Sequence, residues 1–366
     1  MSNNMEKITV LIIDDSSVIR NIIKELLSDV DDIEVVGEAK DPLIARTLIK
    51  QLNPDVLTLD VEMPKMDGIT FLSNLMRLRP MPVVMLSTLT TKGADTTLKA
   101  LDLGAIDFIA KPSFEALTGH KEDFKQSIVE KIRYAGSINS QDFTFSRQLL
   151  TQEKSKQLIF NGSKSENHLI AIGASTGGTD AIKNLLMAMP ENAPAIVITL
   201  HIPRIFSARF AARMNKNLSL VVQEAKHREK IKNGHVYIAP GDKHLKVESK
   251  GGALFCVLDD SAPVNRHKPA VDVLFNSLTH IASNVQAVIL TGMGQDGAQG
   301  LLALKKRGAM TIIQDKNSSL VWGMPGSAFH CNAHTKQLPL LDIGEELLKN
   351  ATLGWREVEE GIYENS

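Results

Sequence analysis

The sequence predicts an α/β protein with two doubly wound parallel-sheet domains. The chain has 366 residues, which exceeds the size of one ordinary hydrophobic core. Short apolar runs alternate with amphipathic stretches along most of the chain, a pattern typical of parallel strands joined by helices. The alternation fades near the middle of the chain and then begins again. We therefore predict two such sheets in succession.

The first series of elements begins at Ile8. Amphipathic stretches at 17–27 and 41–52 predict two helices, and a Lys- and Glu-rich pattern from 113 to 133 predicts a last one. The predicted strands are 8–13, 34–36, 56–59, 83–86 and 106–109.

The second series begins at Leu169. Its later predicted strands are 195–200, 235–238, 287–290 and 311–313, followed by a helix near 344–350. Between the two series, scattered Ser, Gln, Asn and Lys with few periodic apolar positions favour a linker. We predict domains at 6–135 and 167–352, a linker at 136–166 and an acidic tail at 353–366.

Composition excludes several classes of protein. The 41 basic and 42 acidic residues leave a formal net charge of −1, which does not favour nucleic-acid binding. Two cysteines are too few for a disulfide framework or a four-ligand zinc site and fit a reducing compartment. No apolar stretch approaches ~18 residues, and we find no signal peptide. We expect a cytoplasmic monomer without membrane insertion.

Charged and hydroxyl side chains close four of the first domain's predicted strands. They are Asp14, Asp15, Asp60, Ser87 and Lys111. The carboxyl ends of parallel strands share one crevice, where three carboxylates would repel one another unless a divalent cation such as Mg²⁺ lay between them. A carboxylate can also accept a phosphoryl group. We predict Asp60 as the acceptor, Lys111 as the neutralising ammonium and Ser87 as the hydroxyl that contacts the product.

Four strings in this domain together resemble the response-regulator receiver family. They are D-D-S-S at 14–17, D-V-E-M-P-K-M-D-G at 60–68, S-T at 87–88 and K-P at 111–112. The resemblance implies a flavodoxin-like receiver phosphorylated on Asp60. It implies that Asp15, Asp60 and the Glu62 carbonyl bind Mg²⁺, with Asp14 contacting the ion through water. Phe108 falls at the family's aromatic switch position.

The second domain opens on a strand that breaks into small residues, L-I-A-I-G-A-S-T-G-G at 169–178. A G-x-S-x-G turn between a strand and a helix projects a serine out of the sheet, and backbone N–H groups there can stabilise an oxyanion. The same turn is as often a phosphate cradle or a tight packing contact. His201 closes the next strand as a candidate base, and Asp296 follows a later strand as a candidate carboxylate. Ser175, His201 and Asp296 therefore form a candidate catalytic triad.

Several strings of the second domain resemble the chemotaxis protein-glutamate methylesterase family. They are G-A-S-T-G-G-T-D-A-I at 173–182, H-I-P at 201–203, Y-I-A-P-G-D-K-H at 237–244, V-N-R-H-K-P-A-V-D-V-L-F at 264–275, T-G-M-G-Q-D-G-A at 291–298 and G-M-P-G-S-A at 323–328. The resemblance implies a Rossmann-like domain with the triad above and an oxyanion hole from the N–H groups of Thr176 and Met293. It implies no cofactor in this domain.

The resemblance also implies a biological setting. The substrates are glutamate methyl esters on the cytoplasmic helices of chemoreceptors, with glutamine deamidation as a related activity. The phosphodonor is a histidine kinase of the CheA type. The unphosphorylated receiver covers the catalytic cleft, and phosphorylation of Asp60 shifts the population to an open form.

Two alternatives compete with this interpretation. Gly292, Gly294 and Gly297 have the G-x-G-x-x-G spacing of a dinucleotide site, with Asp315 further on. The position of Asp296 argues against a dinucleotide site, because its negative charge would lie at the helix N-terminus where the negatively charged pyrophosphate must bind. The second alternative is a DNA- or protein-binding output domain without enzymatic activity, for which the short basic patch 226–232 is poor support.

We interpret two histidine-containing strings, 237–244 and 264–269, as loops that shape the predicted cleft. No local metal-ligand spacing links His235, His244 and His267, so we do not predict a metal site from them. We expect Arg266 and His267 to contact substrate.

Overall fold

The chain divides into two compact units, Met1–Glu153 and Lys154–Ser366. The computed structural model describes residues 7–64, 66–111, 121–138, 158–160 and 168–353. Each unit is built around its own parallel sheet, which confirms the predicted α/β class with two parallel-sheet domains.

The first unit has a five-stranded parallel sheet in the order β2-β1-β3-β4-β5. The strands are β1 Ile8–Ile13, β2 Ile33–Ala39, β3 Val56–Asp60, β4 Val83–Ser87 and β5 Asp107–Ala110. The helices are α1 Ser17–Leu27, α2 Pro42–Leu52, α3 Gly68–Leu78, α4 Thr91–Leu103 and α5 Lys121–Ser137. Residues 112–120, where part of the last helical pattern was predicted, lie outside the described residues.

Local sequence explains where these elements begin and end. Asp41 precedes α2 and its Oδ1 accepts hydrogen bonds from two backbone N–H groups of the first turn, while Pro42 sets the first helical φ. Asn53 ends the same helix in the left-handed conformation, at φ 46°. Strands β3 and β4 are buried at every position because helices cover both faces of the sheet.

The second unit has a seven-stranded parallel sheet in the order β15-β14-β13-β6-β7-β10-β8. Its strands are β6 Leu169–Ala174, β7 Ala195–Leu200, β8 Val221–Glu224, β10 His235–Ile238, β13 Val285–Ile289, β14 Met310–Gln314 and β15 Lys336–Leu338. The helices are α6 Gly178–Ala188, α7 Arg204–Asn217, α8 Val271–Ser277, α9 Ala298–Lys306, α10 Gly323–His330 and α11 Leu340–Leu353, with a 3₁₀ turn at Thr279–Asn284.

The strand order reverses direction between β6 and β13. From β6 the chain adds strands towards β7 and β8, whereas from β13 it adds strands towards the opposite edge at β15. In a doubly wound sheet, ligands bind outside the carboxyl ends of the strands where the order reverses. The loops that follow β6, β7 and β13 therefore border the crevice.

A small antiparallel sheet interrupts this pattern and was not predicted. It has the order β11-β12-β9, with β9 Glu229–Lys230, β11 His244–Lys250 and β12 Ala253–Asp259. Gly251 and Gly252 join β11 to β12 at φ 58° and 77°, the two-residue turn that a Gly-Gly pair favours. The Gly-Gly pair was the sequence signal for this hairpin.

A short piece of the predicted linker packs on the second unit. The Leu158 N–H donates to the Ala188 carbonyl at 2.9 Å, and the Asn192 side chain donates to the Phe160 carbonyl at 3.0 Å. Phe160 is buried. Among the described residues, none of the helices has the length and apolar character needed to cross a membrane.

Candidate active site and phosphoryl-acceptor site

The first unit collects three carboxylates and a lysine at the carboxyl edge of its sheet. Lys111 Nζ lies 2.7 Å from Asp14 Oδ2 and 2.8 Å from Asp60 Oδ1, and both aspartates are buried. Asp15 is exposed, and one oxygen from each of Asp14, Asp15 and Asp60 lies within 4.8 Å of the others. The fold thus brings the predicted acidic residues and Lys111 together.

Burial dominates the electrostatics of this cluster. Burial, together with the neighbouring Asp14, raises the pKa of Asp60 to about 6, although Lys111 opposes both effects. Burial likewise raises the pKa of Asp14. A hard divalent cation that prefers oxygen ligands would relieve the repulsion between these carboxylates. The donor set therefore fits a metal ion such as Mg²⁺.

The other predicted receiver residues surround this cluster. The Glu62 N–H donates to Asp60 Oδ1 at 3.2 Å. Ser87 is fully buried at the end of β4, and its Oγ lies 2.6 Å from Thr97 Oγ1. Phe108 is buried in β5, and Lys131 donates to its carbonyl at 2.6 Å with Nζ 5.4 Å from its ring centroid. The sequence analysis did not identify Lys131.

Small residues shape the turn that carries Ser175. Gly177 adopts φ 75°, and a Cβ at Gly178 would lie 2.7 Å from the Ala174 Cβ. The turn therefore runs directly from the last residue of β6 into α6. Ser175 lies between the two, half-buried at the carboxyl edge of the sheet.

His201 follows the neighbouring strand at the same edge. Its backbone N–H donates to the Ala174 carbonyl at 3.1 Å, so it lies beside the serine turn. Nε2 is 2.8 Å from Asp296 Oδ2, and the two side chains are 7% and 1% exposed. Among the described residues, Nδ1 is buried without a hydrogen-bond partner. Nδ1 is therefore the ring nitrogen that Asp296 does not contact.

Asp296 is held by four donors. Besides His201, Oδ2 accepts from the Val271 N–H at 2.6 Å, and Oδ1 accepts from the Asp272 N–H at 3.1 Å and from Asn265 Nδ2 at 2.8 Å. Burial alone would raise the pKa of Asp296, but the hydrogen bonds and the His201 charge outweigh it and lower the pKa to about 2. Asp296 stays ionised at neutral pH.

Sequence reasoning missed two residues next to this carboxylate. Asn265 adopts φ 52° and donates to both Asp296 Oδ1 and Asp272 Oδ2, each at 2.8 Å. Asp272 also accepts from the Gly300 N–H at 2.6 Å. An Asn in the V-N-R-H string, one of the few residues that tolerate the left-handed region, was the available signal.

His267 stacks on His201. The ring centroids are 3.7 Å apart and the planes differ by 10°. Burial lowers the pKa of His267 to about 4, and the charge of His201 contributes in the same direction. His267 is therefore neutral beside the His201 imidazole. His244 lies elsewhere, fully buried, with Nδ1 accepting from the Ala270 N–H and Nε2 next to the Ala262 carbonyl.

The two predicted oxyanion donors flank the serine. Thr176 is buried directly after it. Met293 follows Gly292, where an added Cβ would lie 2.9 Å from the Ser175 Cβ. The 292–293 peptide therefore approaches Ser175 closely, and only glycine leaves room for it.

The dinucleotide alternative is not supported. Gly294 and Gly297 do adopt positive φ, at 83° and 89°. One of the two residues between them, however, is the buried Asp296, whose carboxylate opposes a pyrophosphate in this loop. The carboxylate of Asp315 accepts hydrogen bonds from Ser318 at 2.9 Å and 2.5 Å.

An acidic phosphoryl-acceptor cluster on one sheet and a serine–histidine–aspartate cluster on the next define a class: a response regulator whose output domain is a hydrolase. Comparison with known proteins agrees. Residues 10–120 match the response regulator receiver domain, and residues 170–347 match the CheB methylesterase domain.

Relatives resemble nearly the whole chain. It is 48% identical to the protein-glutamate methylesterase/protein-glutamine glutaminase of Hydrogenovibrio crunogenus, over 94% of this chain and 99% of that protein. It is 49% identical to a protein of the same name from Xanthomonas campestris, over 93% and 96%. The chain therefore belongs to the protein-glutamate methylesterase/protein-glutamine glutaminase family. The crystal structure of the Thermotoga maritima CheB methylesterase catalytic domain is 38% identical, covering 50% of this chain and 98% of that one, at a TM-score of 0.49.

Proposed function

We propose that this protein hydrolyses glutamate methyl esters on the cytoplasmic helices of chemoreceptors, and deamidates glutamine there, under control of phosphorylation at Asp60. The observation that carries the proposal is the buried His201–Asp296 pair beside the Ser175 turn, at 2.8 Å. Relatives about half identical carry the corresponding name. This arrangement supports the following assignment of residues to the steps of ester hydrolysis.

Ser175 Oγ attacks the ester carbonyl carbon while Nδ1 of His201 takes its proton. The oxyanion accepts hydrogen bonds from the N–H groups of Thr176 and Met293. When the tetrahedral intermediate collapses, the bond to methoxide breaks, and His201 returns its proton to form methanol. Water then attacks the acyl-enzyme in the same way and releases glutamate and free Ser175.

Asp296 and His267 support the charge that forms on His201. The pKa of Asp296, lowered to about 2, keeps a full negative charge against Nε2 when the imidazole takes up the serine proton. The stacked His267 ring adds no opposing charge because burial lowers its pKa to about 4. The catalytic imidazolium is therefore stabilised on one side and not repelled on the other.

Glutamine deamidation follows from the same geometry. The amide carbonyl occupies the oxyanion site, and His201 donates its proton to the leaving nitrogen, so that ammonia replaces methanol as the first product. No additional residue is required.

In the receiver, Asp60 takes the phosphoryl group from a histidine kinase of the CheA type. Asp15, Asp60 and the Glu62 carbonyl would hold Mg²⁺, with Asp14 contacting it through water, and the ion supplies charge neutralisation of the phosphoryl oxygens. Lys111 adds a second positive charge next to Asp60. Such signalling occurs in the cytoplasm, where two free cysteines remain reduced.

Methanol release from methylated receptor membranes tests the proposal. We expect Ser175→Ala to abolish release in single-turnover assays, while acetyl phosphate still phosphorylates Asp60 in the same variant. Retained phosphorylation shows that the receiver of the variant is folded, and a urea unfolding transition of the second unit that matches the wild type shows that the unit carrying the substitution is folded. More than a trace of methanol release by the folded alanine variant would exclude Ser175 as the nucleophile.

A further inference from the structure

Thr291 lies behind the serine turn and has no role in the mechanism above. It follows β13 in the buried centre of the second sheet and is 1% exposed. Its carbonyl accepts the Ser175 N–H at 3.1 Å, and its Oγ1 lies 3.0 Å from the Thr176 carbonyl oxygen. One buried threonine thus contacts the backbone on both sides of the nucleophile.

These two contacts constrain one particular peptide group. The Ser175 N–H belongs to the 174–175 peptide, and the Thr176 carbonyl belongs to the 176–177 peptide. Between them lies the 175–176 peptide, whose N–H is the first oxyanion donor. Because Thr291 holds the peptides on either side, it fixes the direction in which that N–H points.

The second oxyanion donor is held through the same residue. Thr291 Oγ1 accepts the Val321 N–H at 2.7 Å, and the Val321 carbonyl accepts the Gly292 N–H at 3.0 Å. The Gly292 carbonyl, which shares a peptide with the Met293 N–H, accepts from the Met324 N–H at 2.8 Å. The loop that carries Met293 is therefore tied to the 321–324 segment, and Thr291 joins both to the serine turn.

A glutamine fixes Thr291 in turn. Gln314, at the end of β14, is fully buried and its Oε1 accepts the Thr291 N–H at 2.8 Å. Gln314 Nε2 donates to the Ser318 carbonyl at 2.7 Å, so the amide group cannot rotate without losing one of these bonds. Thr291 is consequently held through its N–H, its carbonyl and its hydroxyl.

We infer that Thr291 is the positioning residue of the oxyanion hole: its hydroxyl joins the serine turn to the Met293 loop so that both N–H groups point at one oxygen. The inference rests on the proposed function and deepens it. Loss of the hydroxyl should lower kcat, since the oxyanion is bound only in the transition state, and leave KM nearly unchanged.

Three variants test the inference by kcat and KM for methanol release from methylated receptor membranes. Thr291→Val keeps the shape of the side chain and removes the hydroxyl. We expect kcat to fall by about 10- to 100-fold, which is less than the fall caused by removing one hydrogen-bond donor of an oxyanion hole. Thr291→Ser keeps the hydroxyl and should recover kcat to within about threefold of the wild type. Thr311→Val is the matched control, because the buried Thr311 Oγ1 on β14 has no hydrogen-bond partner among the described residues.

Folded sites are counted by the final extent of labelling of Ser175 with a fluorophosphonate, and kcat is given per labelled site. Thr291→Ala is measured in parallel, so that one folded variant without the hydroxyl is available if valine is not tolerated. The inference is overturned if Thr291→Val and Thr291→Ala have the same kcat as Thr311→Val. It is also overturned if the kcat of Thr291→Ser is as low as that of Thr291→Val. Failure of the proposed function would look different, since the wild type would then release no methanol, or Ser175→Ala would release it at the wild-type rate.

Discussion

Two buried aspartates in this protein have opposite pKa shifts, and the difference lies in their hydrogen-bond donors. Burial raises the pKa of Asp60 to about 6, because only Lys111 and one backbone N–H oppose it. Asp296 is equally buried, but four donors lower its pKa to about 2. One carboxylate is therefore suited to accept a phosphoryl group beside a cation, and the other to remain charged beside an imidazole.

A prediction for Asp296 concerns stability against pH. Its folded pKa of about 2 lies below the ordinary 3.8, so ionised Asp296 stabilises the folded state above pH 4, and this contribution is lost as the pH falls from 4 towards 2. The shift corresponds to about 2 kcal/mol. We expect urea unfolding of Asp296→Asn to show a lower free energy than the wild type at pH 6, with the gap narrowing below pH 4. A gap that is independent of pH would contradict the ionised carboxylate.

A second prediction concerns Lys111, the cation that forms ion pairs with the carboxylates of both Asp14 and Asp60. Lys111→Ala leaves two buried carboxylates uncompensated, so the receiver should lose about 3–5 kcal/mol of unfolding free energy in EDTA. Mg²⁺ should restore more stability to this variant than to the wild type, because the cation meets a larger negative charge. Urea unfolding with and without Mg²⁺ measures both effects.

The matched control for Lys111 is Lys125→Ala. Lys125 forms an exposed ion pair with Asp29 far from the cluster, so its loss should leave the receiver transition and its Mg²⁺ response unchanged. Equal Mg²⁺ responses of Lys111→Ala and the wild type would show that the metal does not bind at this cluster.

At the scale of elements, the position of Asp296 depends on how α8 packs against β6. The first residue of α8 is Val271, whose N–H holds the Asp296 carboxylate and whose side chain lies against Gly173 in β6. A Cβ added at Gly173 would be 2.3 Å from Val271 Cγ1. The glycine therefore sets the distance between the strand that carries Ser175 and the helix that orients Asp296.

We predict that Gly173→Ala displaces α8 and lowers both kcat and the unfolding free energy, the latter by about 1–3 kcal/mol. Val271→Ala removes the two methyl groups that clash and should restore part of both losses in the double variant. A double-mutant cycle in methanol release and in urea unfolding would show a coupling of about 0.5–3 kcal/mol. Additive effects would mean that the contact does not position the helix.

Sequence patterns located the strands better than the connections between them. The ends of β1, β3, β6 and β7 carry residues whose positions follow from the parallel arrangement alone, and the acidic cluster and the Ser175–His201 edge were predictable for that reason. The hairpin β11–β12 and the Asn265 turn were not predicted because they belong to a long segment between β10 and β13 that lies outside the parallel sheet. Three of the four donors that lower the pKa of Asp296 come from this segment, and the fourth, His201, follows β7. No local sequence pattern indicates where the segment lies relative to the sheet.

At the scale of the whole molecule, both units are built on a parallel sheet of the same kind. In each sheet the strand order reverses once, between β1 and β3 in the first and between β6 and β13 in the second. The acidic cluster and the serine turn each lie at such a reversal, where strand ends leave an open crevice. One fold class therefore holds the proposed phosphoryl acceptor and the proposed hydrolase site through different residues at equivalent places.

The last prediction concerns regulation. The family resemblance predicts that the unphosphorylated receiver represses the hydrolase, so removing it should raise basal methanol release and end any response to acetyl phosphate. The fragment should begin at Lys154, because Leu158 and Phe160 pack on the second unit and a later start would remove those contacts. In the full chain, acetyl phosphate with Mg²⁺ should activate, and Asp60→Asn should remove that response without changing the basal rate.

The size of the effect need not be large, since each tenfold of repression requires only about 1.4 kcal/mol in favour of the closed state. Ser175→Ala in the full chain is the control that any methanol released comes from this site. A fragment no faster than the intact unphosphorylated protein would contradict repression. It would leave hydrolysis at Ser175 standing, and the receiver would then act by bringing the enzyme to its receptors, which a binding assay with receptor membranes and acetyl phosphate would detect.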